Sequence, residues 1–222
     1  SQQDADAWWE ANKPAPLSPS PMDLSVTEVI DADALLDLDS MDLQQAIDEA
    51  VPAVGGKAAH YAALTQQDSY RVPKGFIIPV FYYHQHMEEN GLWEQVDAML
   101  ADPAFQGDPA TRSEQLRALR DAIREAPINT ELVETVEAKI LDGYATFEYP
   151  MTRFRFRSST NAEDIAGFNG AGLYTSITGD PGVSDKAVTE ALKVVWSSVW
   201  NDRAYSERQY YSIDHTQIGM AI

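Results

Sequence analysis

The sequence contains no cysteine. That absence excludes disulfide bonds, metal sites built on thiolates and cysteine nucleophiles. The sequence also lacks any apolar run long enough to cross a bilayer, and no secretory signal pattern opens it. We therefore expect a protein that acts away from the membrane, in a cytoplasmic location.

Basic residues are scarce. The 222 residues carry 16 Lys and Arg against 35 Asp and Glu, a net charge of −19, of which −11 falls within the first 50 residues. Such a balance disfavours nucleic acid and anionic membranes as partners, because their phosphates would be repelled. An anionic ligand would need a local basic pocket, for which the candidates are Lys57, Lys74, Arg153, Arg155 and Arg157.

Histidines are few, and their spacing gives no metal site. His84 and His86 lie two residues apart on a predicted helix, so their side chains face different directions and do not chelate one ion. We predict no metal ligands within this chain.

The chain divides into three parts by composition. Residues 1–22 are predicted to be a mobile proline-rich arm, and residues 23–50 an acidic extension with a short strand near Val26–Ile30 followed by an amphipathic helix. Residues 51–222 have the composition of a folded domain. Their periodicity predicts an α+β fold, with a small mixed sheet and several helices. Helices are predicted from Gly55-Gly56 to Leu64, over 81–89, 108–126 and 185–200 (capped by Ser184), and from Asn129 and Asp202 onward. Strands are predicted over 75–80, 152–158, 173–178 and 216–222.

The most informative stretch is Arg157-Ser158-Ser159-Thr160-Asn161-Ala162-Glu163-Asp164, followed closely by Gly167-Phe168-Asn169-Gly170-Ala171-Gly172-Leu173-Tyr174. A guanidinium makes planar, bidentate contacts to phosphate oxygens, and glycines let backbone N–H groups approach an anion closely. The stretch therefore carries the ingredients of a polyphosphate site. The glycine spacing matches neither a Walker loop nor a dinucleotide fingerprint, so the spacing alone also permits an ordinary tight turn.

This stretch resembles the N-terminal nucleotide-binding domain of the pyruvate phosphate dikinase and phosphoenolpyruvate synthase family. Within that family, its sequence is most similar to the glucan water dikinase branch. Three other pieces agree in order: Val54-Gly55-Gly56-Lys57-Ala58-Ala59 is similar to the family's Gly-Gly-Lys motif, Val72–Phe76 to the strand entry after it, and Trp196–Arg208 to the tryptophan–arginine helices. The resemblance runs from about residue 51 to the end of the chain.

The resemblance implies the N-terminal part of an ATP-grasp-like domain that binds ATP with Mg²⁺. Arg157 would be the catalytic clamp on the β- and γ-phosphates, and Lys57 would neutralise phosphate charge. The remaining nucleotide contacts implied by the resemblance come from Ser158, Gly170, Ala171, Gly172 and Arg203. The family's metal-binding carboxylates and adenine pocket would lie outside this chain.

Some roles remain open at this stage. Arg157 has the alternative of a structural ion pair with Glu163 or Asp164. We interpret these two acids as partners of Arg155, Arg157 or Arg203 rather than as an acid–base pair, because adjacent residues of an extended segment point in opposite directions. Arg203 and Arg208 either touch the nucleotide or brace the loop.

The implied function is the ATP-binding part of a dikinase-like kinase that phosphorylates pyruvate, a glucan or another acceptor, inactive without the remaining domains of a parent protein. None of His60, His84, His86 and His215 sits in a segment resembling the family's phospho-histidine domain. The alternative is a non-catalytic protein-interaction module on a degenerate dikinase fold, in which the acidic first fifty residues would take part in the interaction.

Overall fold

The computed structural model describes residues 1–67, 71–144, 153–163, 165, 167, 168 and 170–222. Helices dominate this part of the chain, and three small antiparallel sheets of two strands each accompany them. The predicted α+β class with several helices is therefore confirmed, but the predicted single mixed sheet is not: in the described ranges the strands form three separate antiparallel pairs. None of the described helices combines the length and the apolar character needed to cross a membrane.

The regular elements follow one another along the chain. The helices are α1 Gln2–Asn12, α2 Leu43–Thr65, α3 Val80–Glu89, α4 Leu92–Ala101, α5 Pro103–Gly107, α6 Pro109–Glu125, α7 Thr130–Ala138, α8 Val188–Ser197 and α9 Asp202–Tyr210. The strands are β1 Ile30–Asp31, β2 Phe76–Ile77, β3 Phe154–Phe156, β4 Ser159–Thr160, β5 Ile177–Gly179 and β6 Met220–Ala221.

Helix α2 is interrupted at Gly55, which has φ 74° and ψ 164°. This conformation is essentially restricted to glycine, so the chain leaves the helix for one residue and then resumes it. The predicted helix start at Gly55-Gly56 corresponds to this break. The Asp42 side chain caps the first half of α2 by accepting from the Gln45 backbone N–H.

Two strand pairs bring the Arg157–Thr160 segment between distant parts of the chain. β3 pairs with β5, Phe156 opposite Ile177; a return strand is present, but it covers Ile177–Gly179 rather than the predicted residues 173–178. β4 pairs with β6, Ser159 opposite Ala221. Because β3 and β4 are separated only by residues 157 and 158, these two residues lie at the junction of both sheets.

Two hydrophobic clusters form the core. The larger one contains the buried stripes of α4, α6, α7 and α8 together with Trp196 and Trp200. The smaller one is built largely from alanines of α2 packed with β2 and β6. Small side chains on α2 allow its backbone to approach its neighbours closely.

Several element boundaries differ from the prediction. The arm begins with helix α1, stabilised by a capping box between Ser1 and Asp4, which the sequence analysis did not predict. Ser184 was predicted to cap a helix starting at residue 185, and this was wrong. The chain forms a 3₁₀ turn at Ser184–Lys186, and α8 begins after Ala187 without a side-chain cap.

Candidate functional site

The break in α2 lies directly against strand β4. A Cβ added to Gly55 would lie 2.5 Å from the backbone carbonyl carbon of Ser159, so only glycine fits there. The Ser159 Oγ accepts a hydrogen bond from the Ala58 N–H at 2.9 Å and so satisfies one free donor at the restart of the helix. This packing places Lys57 beside the Arg157-Ser158-Ser159 segment, 100 residues away in sequence.

Lys57 is held by Ser158 of that segment and by Glu163, which follows the segment in sequence. Its Nζ donates to the Ser158 carbonyl oxygen at 3.3 Å and forms an ion pair with the Glu163 carboxylate. The Lys57 side chain is 37% exposed, whereas the Glu163 side chain is 5% exposed. We had interpreted Glu163 as a partner of Arg155, Arg157 or Arg203; the structure instead pairs its carboxylate with Lys57. Asp164 lies outside the described residues.

Arg157 is exposed at the end of β3. In the described ranges of the chain, no hydrogen bond or ion pair holds its guanidinium, so the alternative of an ion pair with Glu163 is not realised. The next residue, Ser158, is buried, and its N–H donates to the Ser176 Oγ at 3.2 Å. The backbone thus places Arg157 directly before the residue whose carbonyl Lys57 contacts, and its guanidinium is unpaired among the residues that the structure describes.

The glycine-rich segment passes over Glu163. A Cβ added to Gly170 would lie 3.0 Å from Cγ and 3.2 Å from Cα of Glu163, which places the two residues in contact. Gly172 has φ 76° and nothing within 4 Å of an added Cβ, and Ala171 is exposed. The structure therefore brings together Lys57, Ser158 and Gly170, with Ala171 and Gly172 facing open space beyond them.

The two arginines of α9 have different roles. Arg208 is completely buried: its Nη2 donates to the Val199 carbonyl at 2.8 Å, its Nε to the His215 Nδ1 at 3.1 Å and its Nη1 to the Tyr174 hydroxyl at 3.4 Å. Arg208 therefore braces the end of the glycine-rich segment through Tyr174. Arg203 is exposed, and within the described residues no contact joins it to Lys57, Ser158 or Gly170.

His215 is part of the same buried support. Burial and the adjacent Arg208 guanidinium lower the pKa of His215 to about 3. The neutral ring can accept from Arg208 through Nδ1, and it stacks on Tyr205 at 4.2 Å between ring centroids. The pair is thus structural, and the ring is neutral at physiological pH.

Sequence reasoning missed two residues that assemble the site. One is Ser159, which caps the second half of α2 across a separation of 101 residues. The other is Asn161, whose side chain donates to the carbonyls of Ser20 and Gln217 and accepts from the Gly219 N–H. No local pattern signals such distant pairings; only the polar type of each residue at a strand end could have suggested them.

Lys74, another basic residue of the predicted pocket, lies apart from this arrangement. Lys74 lines a cleft of about 350 Å³ together with Asp31 and Lys139, and that lining includes neither Lys57 nor Glu163. Across the described ranges, His, Asp and Glu form no group of three or more that could hold a metal ion.

Comparison with known proteins gives a consistent set of similarities. The family model described as pyruvate phosphate dikinase, AMP/ATP-binding domain, matches residues 51–222. Phosphoenolpyruvate synthase of Aeropyrum pernix is 28% identical over 183 residues, covering 78% of this chain and 21% of that protein. Phosphoenolpyruvate synthase of Neisseria meningitidis is 29% identical, covering 77% of this chain and 22% of its own length. Rifampicin phosphotransferase of Bacillus subtilis is 26% identical, covering 76% and 19%. The chain thus spans about a fifth of the length of these relatives.

Proposed function

The chain belongs to the pyruvate phosphate dikinase AMP/ATP-binding domain family, and we propose that it binds the triphosphate tail of ATP at the junction of α2, β4 and the glycine-rich segment. The observation that supports this proposal is the meeting of Lys57 with the Arg157-Ser158 segment, from positions 100 residues apart. The three sequence motifs with phosphate-binding character converge there.

The chemistry of the junction suits a polyphosphate. The exposed Arg157 guanidinium offers bidentate N–H donors with no competing partner in the described ranges, and the Lys57 ammonium adds a second positive charge. Backbone N–H groups of residues 170–172 would supply neutral donors, because glycine removes the side chains that would keep an anion away. A chain with a net charge of −19 needs such a local concentration of donors to attract ATP.

We propose that the parent activity is phosphoryl transfer from ATP, in which positioning and charge stabilisation supply most of the catalysis. Arg157 would hold the β- and γ-phosphates and stabilise the charge that develops between them. Mg²⁺ would neutralise the phosphate oxygens, and its protein ligands are expected outside the described residues, as is the adenine pocket. The ATP-grasp-like architecture and a cytoplasmic location, where ATP is available, belong to the same proposal.

The acceptor is proposed to bind elsewhere in a longer protein. Pyruvate, a glucan or another molecule would meet the nucleotide through the remaining domains, since this chain spans only about a fifth of its relatives. The 222 residues by themselves should therefore bind MgATP more weakly than micromolar and release no phosphate above background. A calorimetric titration and a phosphate-release assay test both statements.

The residue roles are tested by titrating the purified chain with MgATP and following backbone amide signals by NMR, which detects millimolar binding. Lys57→Met and Arg157→Ala should each weaken binding at least tenfold, because each removes one charge from the phosphate contacts. Arg117→Ala removes the same charge from an exposed position on α6 and should leave the affinity within twofold. Equal affinity of all four proteins would refute the proposed site and favour the interaction-module alternative.

A further inference from the structure

Residues 17–23, which we call the strap, lie along the elements that meet at the proposed site, although the family match begins only at residue 51. The Asp23 N–H donates to the Pro52 carbonyl of α2 at 3.0 Å. The Ser20 carbonyl accepts from the Asn161 side chain at 2.6 Å, directly after β4. The strap therefore contacts α2 and the end of β4, both of which build the junction where phosphate is proposed to bind.

The strap also reaches the start of the glycine-rich segment. Leu17 donates its N–H to the carbonyl of Tyr211, the residue after α9, at 3.1 Å. Its side chain packs against the larger hydrophobic cluster, and its Cδ1 would lie 3.9 Å from a Cβ added to Gly167. Phe168 is buried and meets the Tyr211 ring edge-on, with 5.6 Å between ring centroids. These four residues form one contact cluster at the entry of the segment.

The exit of the glycine-rich segment is held by a different set of contacts. The Asn201 side chain, just before α9, donates to the Leu173 carbonyl at 3.2 Å. Arg208 donates to the Tyr174 hydroxyl at 3.4 Å. The backbone N–H groups of residues 170–172, which are the proposed phosphate donors, therefore lie between an entry anchor that includes the strap and an exit anchor that does not.

We infer that Leu17 is a positioning residue for the proposed phosphate site: it holds the entry of the glycine-rich segment, so that the N–H groups of residues 170–172 are in place before phosphate arrives. This inference rests on the proposed function and adds to it a part of the chain outside the family match. Donors that are fixed beforehand need not be ordered by the ligand, and ordering the backbone of one residue weakens an affinity about tenfold. The strap thus raises the affinity without itself contacting the phosphate.

Leu17 is the strap contact that can be changed with the least effect on the rest of the site. Asn161 also bonds to Gln217 and Gly219 at 2.9 Å each, so its replacement would disturb the approach to β6 as well. A substitution of Leu17 keeps the backbone hydrogen bond to Tyr211 and alters only the side-chain packing beside Gly167.

The test uses Leu17→Asn, which replaces the apolar side chain by an uncharged polar one and so adds no repulsion for a polyanion. Leu35→Asn is the matched control, because Leu35 is also half-buried but packs against the smaller hydrophobic cluster. Leu17→Met tests rescue by an apolar side chain of similar volume. Amide hydrogen exchange without ligand is measured at Phe168 and Leu173, whose N–H groups both donate hydrogen bonds. MgATP affinity is measured by the same NMR titration.

The expected changes are local to the segment. A polar group in place of a half-buried leucine shifts a local opening equilibrium about tenfold, so the amides of Phe168 and Leu173 should exchange severalfold faster in Leu17→Asn. MgATP affinity should fall about threefold in this variant, since the exit anchor still restrains the segment. Leu17→Met should match the parent chain in both measurements because it conserves volume and apolar character. Leu35→Asn should change neither.

The two readouts separate this inference from the proposed function. Unchanged exchange of the Phe168 and Leu173 amides in Leu17→Asn would overturn the inference, and so would an equal acceleration in Leu35→Asn. Faster exchange at an unchanged MgATP affinity would also overturn it, since Leu17 would then support the fold alone. If the parent chain does not bind MgATP, the proposed function fails, and the exchange comparison still decides whether Leu17 holds the segment.

Discussion

Replacing Gly55 by alanine should separate α2 from β4 and disrupt the proposed site at its base. The backbone of Gly55, at φ 74° and ψ 164°, lies in a region that is essentially restricted to glycine. In addition, an alanine Cβ would lie 2.5 Å from the Ser159 carbonyl carbon and 2.6 Å from its oxygen. Both are backbone atoms of a paired strand, so they cannot turn away as the end of a flexible side chain can.

The expected cost has two parts. The backbone conformation contributes about 1–3 kcal/mol for a residue with a Cβ. Overpacking against fixed atoms adds about 1–3 kcal/mol, because the strand or the helix must shift. The free energy of unfolding should therefore fall by about 2–6 kcal/mol, a large fraction of the total stability of an ordinary domain.

Urea denaturation of Gly55→Ala, followed by tryptophan fluorescence, measures this loss, and Gly172→Ala is the matched control. Gly172 also has a positive φ, 76°, but an added Cβ there meets nothing within 4 Å. The control should thus lose only the conformational part, about 1–2 kcal/mol. Equal losses in the two variants would show that the close packing of α2 on β4 is not what requires glycine at position 55.

Three further results are expected. Asn161→Ala should lower the free energy of unfolding by about 2–4 kcal/mol, because the buried amide makes hydrogen bonds of 2.6, 2.9 and 2.9 Å to Ser20, Gln217 and Gly219. The control Asn12→Ala removes one exposed helical hydrogen bond and should cost under about 0.5 kcal/mol. Equal costs in a urea titration would show that the three hydrogen bonds of Asn161 do not stabilise the fold. His215→Asn should flatten the dependence of unfolding free energy on pH between 7 and 4, because burial and, to a smaller extent, Arg208 lower the pKa of His215 from 6.5 to about 3. The stability that depends on the neutral ring is complete above pH 6.5 and decreases as the pH falls toward 3. An unfolding free energy that depends on pH as little in the parent protein as in the variant would contradict this. Limited proteolysis should cleave the arm of Asn161→Ala between residues 14 and 20 faster than that of the parent chain, since the variant lacks the bond to Ser20, and unchanged cleavage would show that other contacts hold the arm.

Much of the fold follows from local sequence signals. Asn90-Gly91 ends α3, and Asp108 and Asn129 cap α6 and α7 through their side chains, as their residue types predict. The helix restart at Gly55 was also visible, because glycine pairs interrupt helical patterns. Helix α1 was missed because its capping box is followed by a polar stretch with little amphipathic pattern, and its length is marginal for an isolated helix.

The binding roles of the proposed site residues stay predictions, whereas the contacts among these residues can be compared with the structure. Lys57, Ser158 and Gly170 were identified from motif resemblance, and the structure brings them together. The partner of Glu163 was predicted wrongly, because the nearest cations in sequence are arginines and the actual cation comes from α2. Pairings across a hundred residues depend on the β4–β6 pairing and on the helix packing, and neither leaves a trace within a sequence window. The role of Arg203 at the nucleotide stays a prediction.

The central claim is that a triphosphate tail binds where α2, the Arg157–Ser159 segment and the glycine-rich segment meet. Its most direct test is an NMR titration of the isotopically labelled chain with inorganic tripolyphosphate, which carries the tail without the nucleoside. We predict signal shifts concentrated at the amides of residues 55–57, 157–159 and 170–172, and their loss in the Lys57→Met/Arg157→Ala double variant. Shifts located elsewhere, or unchanged in the double variant, would contradict the account.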